Sequence, residues 1–192
     1  MAEDKPYHHG DLQHALVQAA LETIREKGVA ALTLRGVGAR LGVSRTALYR
    51  HFQDKDALLA NVALAGFRLL RDALAGTTDL NDMAVAYVDF AIANPSHYRA
   101  MFGTAVGEWC DYPELQTAGN EAFGVLVDAI AQGQAARQIQ PGDPIRFAQV
   151  TWSLVHGIAM LTIDGKLELK GPPGIARFAA ESLWNGISVL PS

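Results

Sequence analysis

The sequence predicts an all-helical fold of about nine helices. Three observations carry that prediction. Apolar residues recur every three to four positions along most of the chain. The patterned segments are separated by short breaks rich in Gly, Pro, Asn and Asp. No alternating apolar–polar run bounded by hairpin turns is present, and there is no internal repeat.

The elements follow in order. "GDLQHALVQAALETIREKG" places Leu12, Leu16, Ala19, Ala20 and Ile24 on one stripe, the amphipathic pattern of a helix, and Gly28 is a natural left-handed stop. "TLRGVGARLG" comes next, with Thr33 as the N-cap and Val37 and Leu41 expected to share a face. Gly42 closes that helix, Val43 is the turn residue, and Ser44 caps a short third helix that ends near Phe52. Asp54 caps a long helix through "KDALLANVALAGFRLLRDALAG". Further helices are expected over residues 79–93, 95–103, 113–137, 143–165 and 173–189. The breaks "GTTD", "NPS", "DYP", "QPGDP" and "KGPPG" lie between them. Only "TIDGKLELKG" reads as a candidate extended stretch.

Composition narrows the class. The chain has 192 residues, of which 49% are hydrophobic, enough for a core in one large domain or two small ones. A single cysteine, Cys110, permits no intramolecular disulfide. The start "MAEDKPYHHGDLQ" is polar and unlike a signal peptide, and no charge-free apolar run reaches membrane-spanning length. A soluble cytoplasmic protein with no membrane association is expected. The chain contains no P-loop, G-x-S-x-G, H-E-x-x-H or G-x-G-x-x-G motif. No nucleophile or acid–base constellation stands out, so neither enzyme activity nor a cofactor is expected. His8, His9 and His14 lack the partners of a metal set and read as a polar N-terminal arm, so no metal is expected.

Charge is uneven. Net charge is -4 overall, but residues 1–60 carry eight Lys/Arg and seven Asp/Glu, and residues 61–192 carry eight and thirteen. Residues 35–55 hold Arg35, Arg40, Arg45, Arg50 and Lys55 against the single acid Asp54. Such a patch suits phosphate, or else a solvated helical surface.

Two short helices joined by a Gly-Val-Ser turn make a helix-turn-helix. On a wheel of 100° per residue, Ala47, Leu48, His51 and Phe52 of the second helix fall on one side and Arg45, Thr46, Tyr49 and Arg50 on the other. The first side can pack; the second can enter a major groove. Arg can form paired bonds to guanine, and Thr and Tyr supply hydroxyls and apolar contact. Thr33, Ser44 and Lys55 stand at helix N-termini, where amides favour phosphate. The residues therefore read as a DNA-binding unit, or as a three-helix packing unit with a polar outer face.

The stretch "ALTLRGVGARLGVSRTALYRHFQDKDALL", Ala31 to Leu59, closely resembles the DNA-binding region of the tetracycline-repressor family, and "YHHGDLQHALVQAALETIREKG" resembles that family's first helix. The resemblance covers about the first 60 residues and implies an all-helical homodimer. Its N-terminal helix-turn-helix, residues 1–57, would bind a palindromic double-stranded operator. Its remaining domain, residues 58–192, would dimerise and bind a small effector that releases the DNA. It carries Thr33 and Arg35 onto phosphate-facing positions, Arg45, Thr46, Tyr49 and Arg50 onto recognition-helix positions, and His51 and Lys55 onto positions near the DNA backbone. The wheel turns His51 inward instead. Gly36 and Gly38 depart from the family's pattern and imply a softer second helix, at about 1 kcal/mol per glycine.

Beyond residue 60 the signals thin. "FAQVTWSLVHGIAML" holds Trp152, His156 and Gly157, resembling a C-terminal subgroup with a Trp-His-Gly signature, as does "NPSHYRAMF". Residues 143–165 are apolar on nearly every side: Ala148, Trp152, Val155, His156, Ala159 and Ile163 form one stripe, Val150, Ser153, Leu154, Gly157 and Leu161 the opposite one. Such a helix needs cover all round, from its own core and a partner, or from a central position in one core. Homodimerisation through residues 143–165 and 173–189 is the expectation. For a small apolar effector the candidates are Tyr98, Phe102, Trp109, Phe123, Trp152 and His156, although aromatic residues at helical spacing also build cores. The alternative from another class is a helical small-molecule-binding or scaffold protein without specific DNA binding.

Overall fold

The computed structural model describes residues 9–103, 111–167 and 172–187. Among them are nine α-helices and no strand: α1 His9–Lys27, α2 Leu34–Leu41, α3 Arg45–His51, α4 Lys55–Ala75, α5 Leu80–Ala93, α6 Pro95–Phe102, α7 Pro113–Ala135, α8 Pro144–Ile163 and α9 Pro172–Ile187. A 3-10 turn, Val29–Ala31, follows α1 and has no counterpart in the sequence reading. Gly28 before it takes φ 79° and ψ 165°, a positive-φ conformation but not the left-handed helical one. Cys110 lies outside the described residues, as do His8 and residues 168–171. The stretch read as extended begins with the last turn of α8 and a turn at Asp164–Gly165. No helix among the described residues is long and apolar enough to cross a membrane.

The chain divides into two compact units, residues 1–66 with 96–115, and residues 67–95 with 116–192. In the first, α1 packs on α2 and on the 3-10 turn, and α2 packs on α3. Leu16, Ala20 and Ile24 of α1, Leu32, Val37 of α2, Leu48, Phe52, and Leu58, Leu59 and Val62 of α4 are buried. Local chemistry sets the boundaries. Thr33 Oγ1 accepts from Gly36 N at 3.0 Å, Ser44 Oγ from Ala47 N at 3.2 Å, and Asp54 Oδ1 from Ala57 N at 2.8 Å. Each cap satisfies an amide that the helix cannot, typically worth about 1 kcal/mol. Gly42 ends α2 at φ 67°, where its N–H reaches back to Ala39 O. Leu41 does not share the cover of Val37: it is the last residue of α2 and stays 37% exposed.

The glycines of α2 have a steric reason. A Cβ at Gly38 would lie 3.2 Å from Leu48 Cδ2, and one at Gly36 would lie 2.9 Å from the Thr33 cap oxygen. Absent side chains let α3 approach α2 and leave the cap intact. The propensity cost is therefore offset by packing, a term that a propensity scale does not contain.

In the second unit α5 packs on both α8 and α9, and α8 packs on α9. Met83, Tyr87, Val88 and Ala91 of α5, Ala148, Val155 and Ala159 of α8, and Ala176, Ala180 and Trp184 of α9 are buried. Asp79 caps α5 and Asp143 caps α8. Arg71 of α4 bonds Glu121 of α7 at 2.8 Å, and Arg177 of α9 pairs with Asp82 in the first turn of α5.

Candidate functional site: a nucleic-acid interface and a polar cluster

The orientation of α3 is fixed by what it buries. Leu48 is 2% exposed and Phe52 1%, and side chains of this kind contribute about 1.5–3 kcal/mol each by leaving water. With those two inward, Arg45, Thr46, Tyr49 and Arg50 all stand exposed, while Ala47 and His51 are half-buried. Thr33, Arg35 and Ser44 are also exposed, and Lys55 is partly so. The caps use lone pairs of Thr33 and Ser44, leaving their hydroxyl protons able to donate to a phosphate. The Arg45 guanidinium lies over the Tyr49 ring, 5.4 Å from its centroid.

Arg40, also in the basic stretch, does something else. Its Nε donates to Glu22 at 3.0 Å, and its terminal nitrogens donate to both oxygens of Glu26 at 2.9 and 2.8 Å. The hydrogen bonds to Glu26 raise the Arg40 pKa above its ordinary value, and the same bonds hold the Glu26 carboxyl below the usual carboxylate range. Arg40 is a strut from α2 to α1, and its charge is spent within the unit.

The effector candidates separate. Tyr98 is fully buried in the first unit, its ring 4.8 Å from that of Phe102. Trp109 lies outside the described residues. Phe123, Trp152 and His156 come together in the second unit, with ring centroids 6.1 Å apart for Phe123–Trp152 and 5.5 Å for Trp152–His156. All three are half-buried. The residue that joins them is Tyr87 of α5, which the sequence reading did not select. Trp152 Nε1 donates to Tyr87 Oη at 3.1 Å, and Tyr87 Oη lies 3.1 Å from His156 Nδ1. Tyr87 is 4% exposed, so its hydroxyl sits in the interior and is bonded there, as buried polar groups are. Its only advance signal was a phenolic oxygen on an otherwise apolar stripe of α5.

Burial lowers the His156 pKa from its ordinary value of 6.5, so the ring is held neutral and Nδ1 can accept the Tyr87 proton. His97 in the first unit is lowered by the same cause. In the window below pH 6.5 and above the lowered folded-state pKa, the unfolded chain binds more protons than the folded one. Stability from these rings is fully present above that window and is lost as pH falls through it. The melting temperature is therefore expected to drop as the pH is lowered below the ordinary histidine value of 6.5. His156→Gln should lessen the drop and leave the share belonging to His97; an unchanged acid-side slope in that variant would contradict the assignment.

Comparison with known proteins bears on both clusters. The family model described as bacterial regulatory proteins of the tetR family matches residues 16–62, and that described as tetracyclin repressor-like, C-terminal domain, matches residues 80–183, more than half of the chain. The chain belongs to the tetracycline-repressor family. A solved structure of a protein of unknown function from Rhodococcus sp. RHA1 is 31% identical, covers 97% of this chain and all of its own, and superposes with a TM-score of 0.83. An HTH-type transcriptional regulator, YobS of Bacillus subtilis (strain 168), is 34% identical over 98 residues, 47% of this chain and 51% of that protein. The chain thus spans about half the length of that curated relative in the match. SmeT, solved in complex with triclosan, is 20% identical, covers 92% of this chain and 91% of its own, and has a TM-score of 0.67, a likeness of fold. Within the tetracycline-repressor family match, α2, α3 and the exposed face of α3 fall inside residues 16–62, and Tyr87, Phe123, Trp152 and His156 fall inside residues 80–183.

Proposed function

We propose that this protein is a ligand-responsive transcriptional regulator that represses by binding a palindromic operator as a homodimer and leaves it when a small apolar effector binds. The single observation that carries the reading is α3: Leu48 and Phe52 anchor it, and Arg45, Thr46, Tyr49 and Arg50 face outward together. Residues 1–57 are proposed as the DNA-binding domain, with Thr33, Arg35, Ser44 and Lys55 on phosphates, and residues 58–192 as the effector and dimerisation domain. His51, half-buried at the end of α3, contributes at the margin of the interface. Selection of bound sequences from random duplex DNA tests this directly. Enrichment of a two-fold symmetric site supports it; binding without sequence preference refutes it.

The dimer is proposed to form on α8 and α9. Val150 is 57% exposed, Leu161 46% and Phe178 64%, large apolar groups that a protomer alone leaves in water. A two-fold operator asks for a two-fold protein, and these exposed apolar groups support an isologous contact of α8 and α9 with their copies.

The effector is proposed to contact Trp152 and Phe123 through apolar faces and the Tyr87–His156 pair through hydrogen bonds. SmeT holds triclosan, which makes triclosan a reasonable first compound in a library of apolar metabolites and drugs. An effector that prefers a conformation unsuited to the operator must lower operator affinity, by about 5–150-fold for an ordinary coupling. Trp152→Ala is expected to move the effector midpoint for operator release and leave effector-free operator affinity unchanged. Equal weakening of effector-free binding would assign Trp152 to the core alone.

A further inference from the structure

A groove of about 460 Å³ runs between α4 and α5 in the second unit. Clefts that hold small molecules commonly measure about 300–1,000 Å³. Leu69 and Ala73 of α4 and Ala86 and Phe90 of α5 form its apolar walls. Leu69 is 47% exposed, a large apolar group left in water. On α5, positions 86, 89, 90 and 93 share one face. Tyr87 stands about 100° further round the helix, where it meets Trp152 and His156 of α8. The groove is therefore separate from the Tyr87 cluster.

Two polar side chains line this groove, and both offer acceptors. Asp89 is exposed and has no hydrogen bond or ion pair among the described residues. The Asn94 amide turns Nδ2 to Phe90 O at 3.0 Å, which leaves Oδ1 as an acceptor away from that bond. No lining residue is basic, and the last turn of α5 has no basic residue. Arg71 of α4 spends its donors on Asp72 and Glu121. Residues 61–192 carry thirteen acids against eight bases, so the wider field favours the same sign of guest. An anion is repelled here, and a neutral apolar body uses the walls alone. An apolar body carrying an N–H cation uses the walls and forms a charge-assisted hydrogen bond as well. We propose that this groove binds an organic ammonium with an apolar body. Its nitrogen sits at the Asp89 carboxylate, its body lies along Leu69, Ala73 and Phe90, and Asn94 Oδ1 is a further acceptor at the end of α5. The site is distinct from that of the apolar effector.

The test uses full-length protein without DNA, so its outcome does not depend on operator binding. Three probes share one body: phenylbutylammonium, phenylbutanol and phenylbutyrate. Calorimetric titration is expected to rank them in that order. The ammonium should bind about 5-fold more tightly than the alcohol, the upper range for a charge pair at a surface. Asp89→Asn should remove that preference and leave the alcohol unchanged. Ala73→Trp, at an exposed position, should fill the groove and weaken ammonium and alcohol alike. Circular dichroism confirms folding of each variant, and sedimentation its oligomeric state. Equal binding of ammonium and alcohol, or a preference that survives Asp89→Asn, overturns the charge assignment. Ammonium binding unaltered in Ala73→Trp places the probe elsewhere and overturns the groove. A change of oligomeric state in Ala73→Trp makes the groove a subunit contact and overturns the proposal equally, as does the absence of any binding.

Discussion

Gly157→Glu is expected to turn the protein into a folded monomer that no longer holds its operator tightly. Nothing lies within 4 Å of a Cβ built at Gly157, so the protomer has room for a side chain there. Residues 150, 153, 157 and 161 are spaced to share one face of α8, and Val150 and Leu161 on that face are large apolar groups left 57% and 46% exposed. If that face meets its copy, two glutamates are forced into an apolar seam, where an unpaired charge is costly to desolvate. Loss of the dimer uncouples the two half-sites, and linked binding events of this kind commonly gain about 10²–10⁴-fold over single ones. Operator affinity should fall by that order. Sedimentation of the variant alongside wild type, with circular dichroism to confirm helicity, checks it. A variant that remains dimeric with full helicity would place the interface elsewhere.

Phe52→Ala should cost the first unit a large part of its stability. Phe52 is 1% exposed, stands at the C-cap of α3, and returns its amide to Leu48 O at 3.1 Å. Truncating a buried phenylalanine costs about 3–5 kcal/mol, the transfer term plus the cavity left behind. Domains of ordinary size are stable by only about 5–15 kcal/mol, so much of the margin would go. Chemical denaturation followed by helicity should show the midpoint moving down by a large fraction. Thr46→Ala, equally close to the DNA reader but exposed, should leave that midpoint nearly unchanged and so acts as the control.

What could be read from the sequence was mostly local. Thr33, Ser44 and Asp54 were recognisable as caps because a cap bonds amides two or three residues away, and the structure has all three in place. Helix limits near Asn94, Pro113 and Pro144 followed from residues that cannot continue or readily begin elsewhere. What escaped the sequence was long-range. Tyr87 lies 65 residues from Trp152 and 69 from His156, and no periodicity within α5 announces that its hydroxyl meets both. Tyr98 belongs to the same aromatic supply by composition, yet it is fully buried in the other unit. Gly38 looked like a weakness because propensity is scored one helix at a time, and the reason for it, Leu48, stands on the neighbouring helix. The Arg45–Tyr49 contact falls between these cases: its i, i+4 spacing was visible, but whether the long side chain lay over the ring or in solvent was a matter of conformation.

The packing of α5 against α9 reaches into how the molecule is made. Asp82 and Arg177, which join the two helices, are separated by 95 residues of chain. On a ribosome adding about 5–20 residues per second, roughly 5–20 s pass between the synthesis of one and the other. Throughout that interval the apolar side of α5, with Met83, Tyr87, Val88 and Ala91, lacks the last helix that covers it. The nascent chain therefore carries an uncovered greasy strip over those 95 residues of synthesis, during which chaperones and aggregation compete for it. Completion of the second unit waits on the translation of α9, Pro172–Ile187.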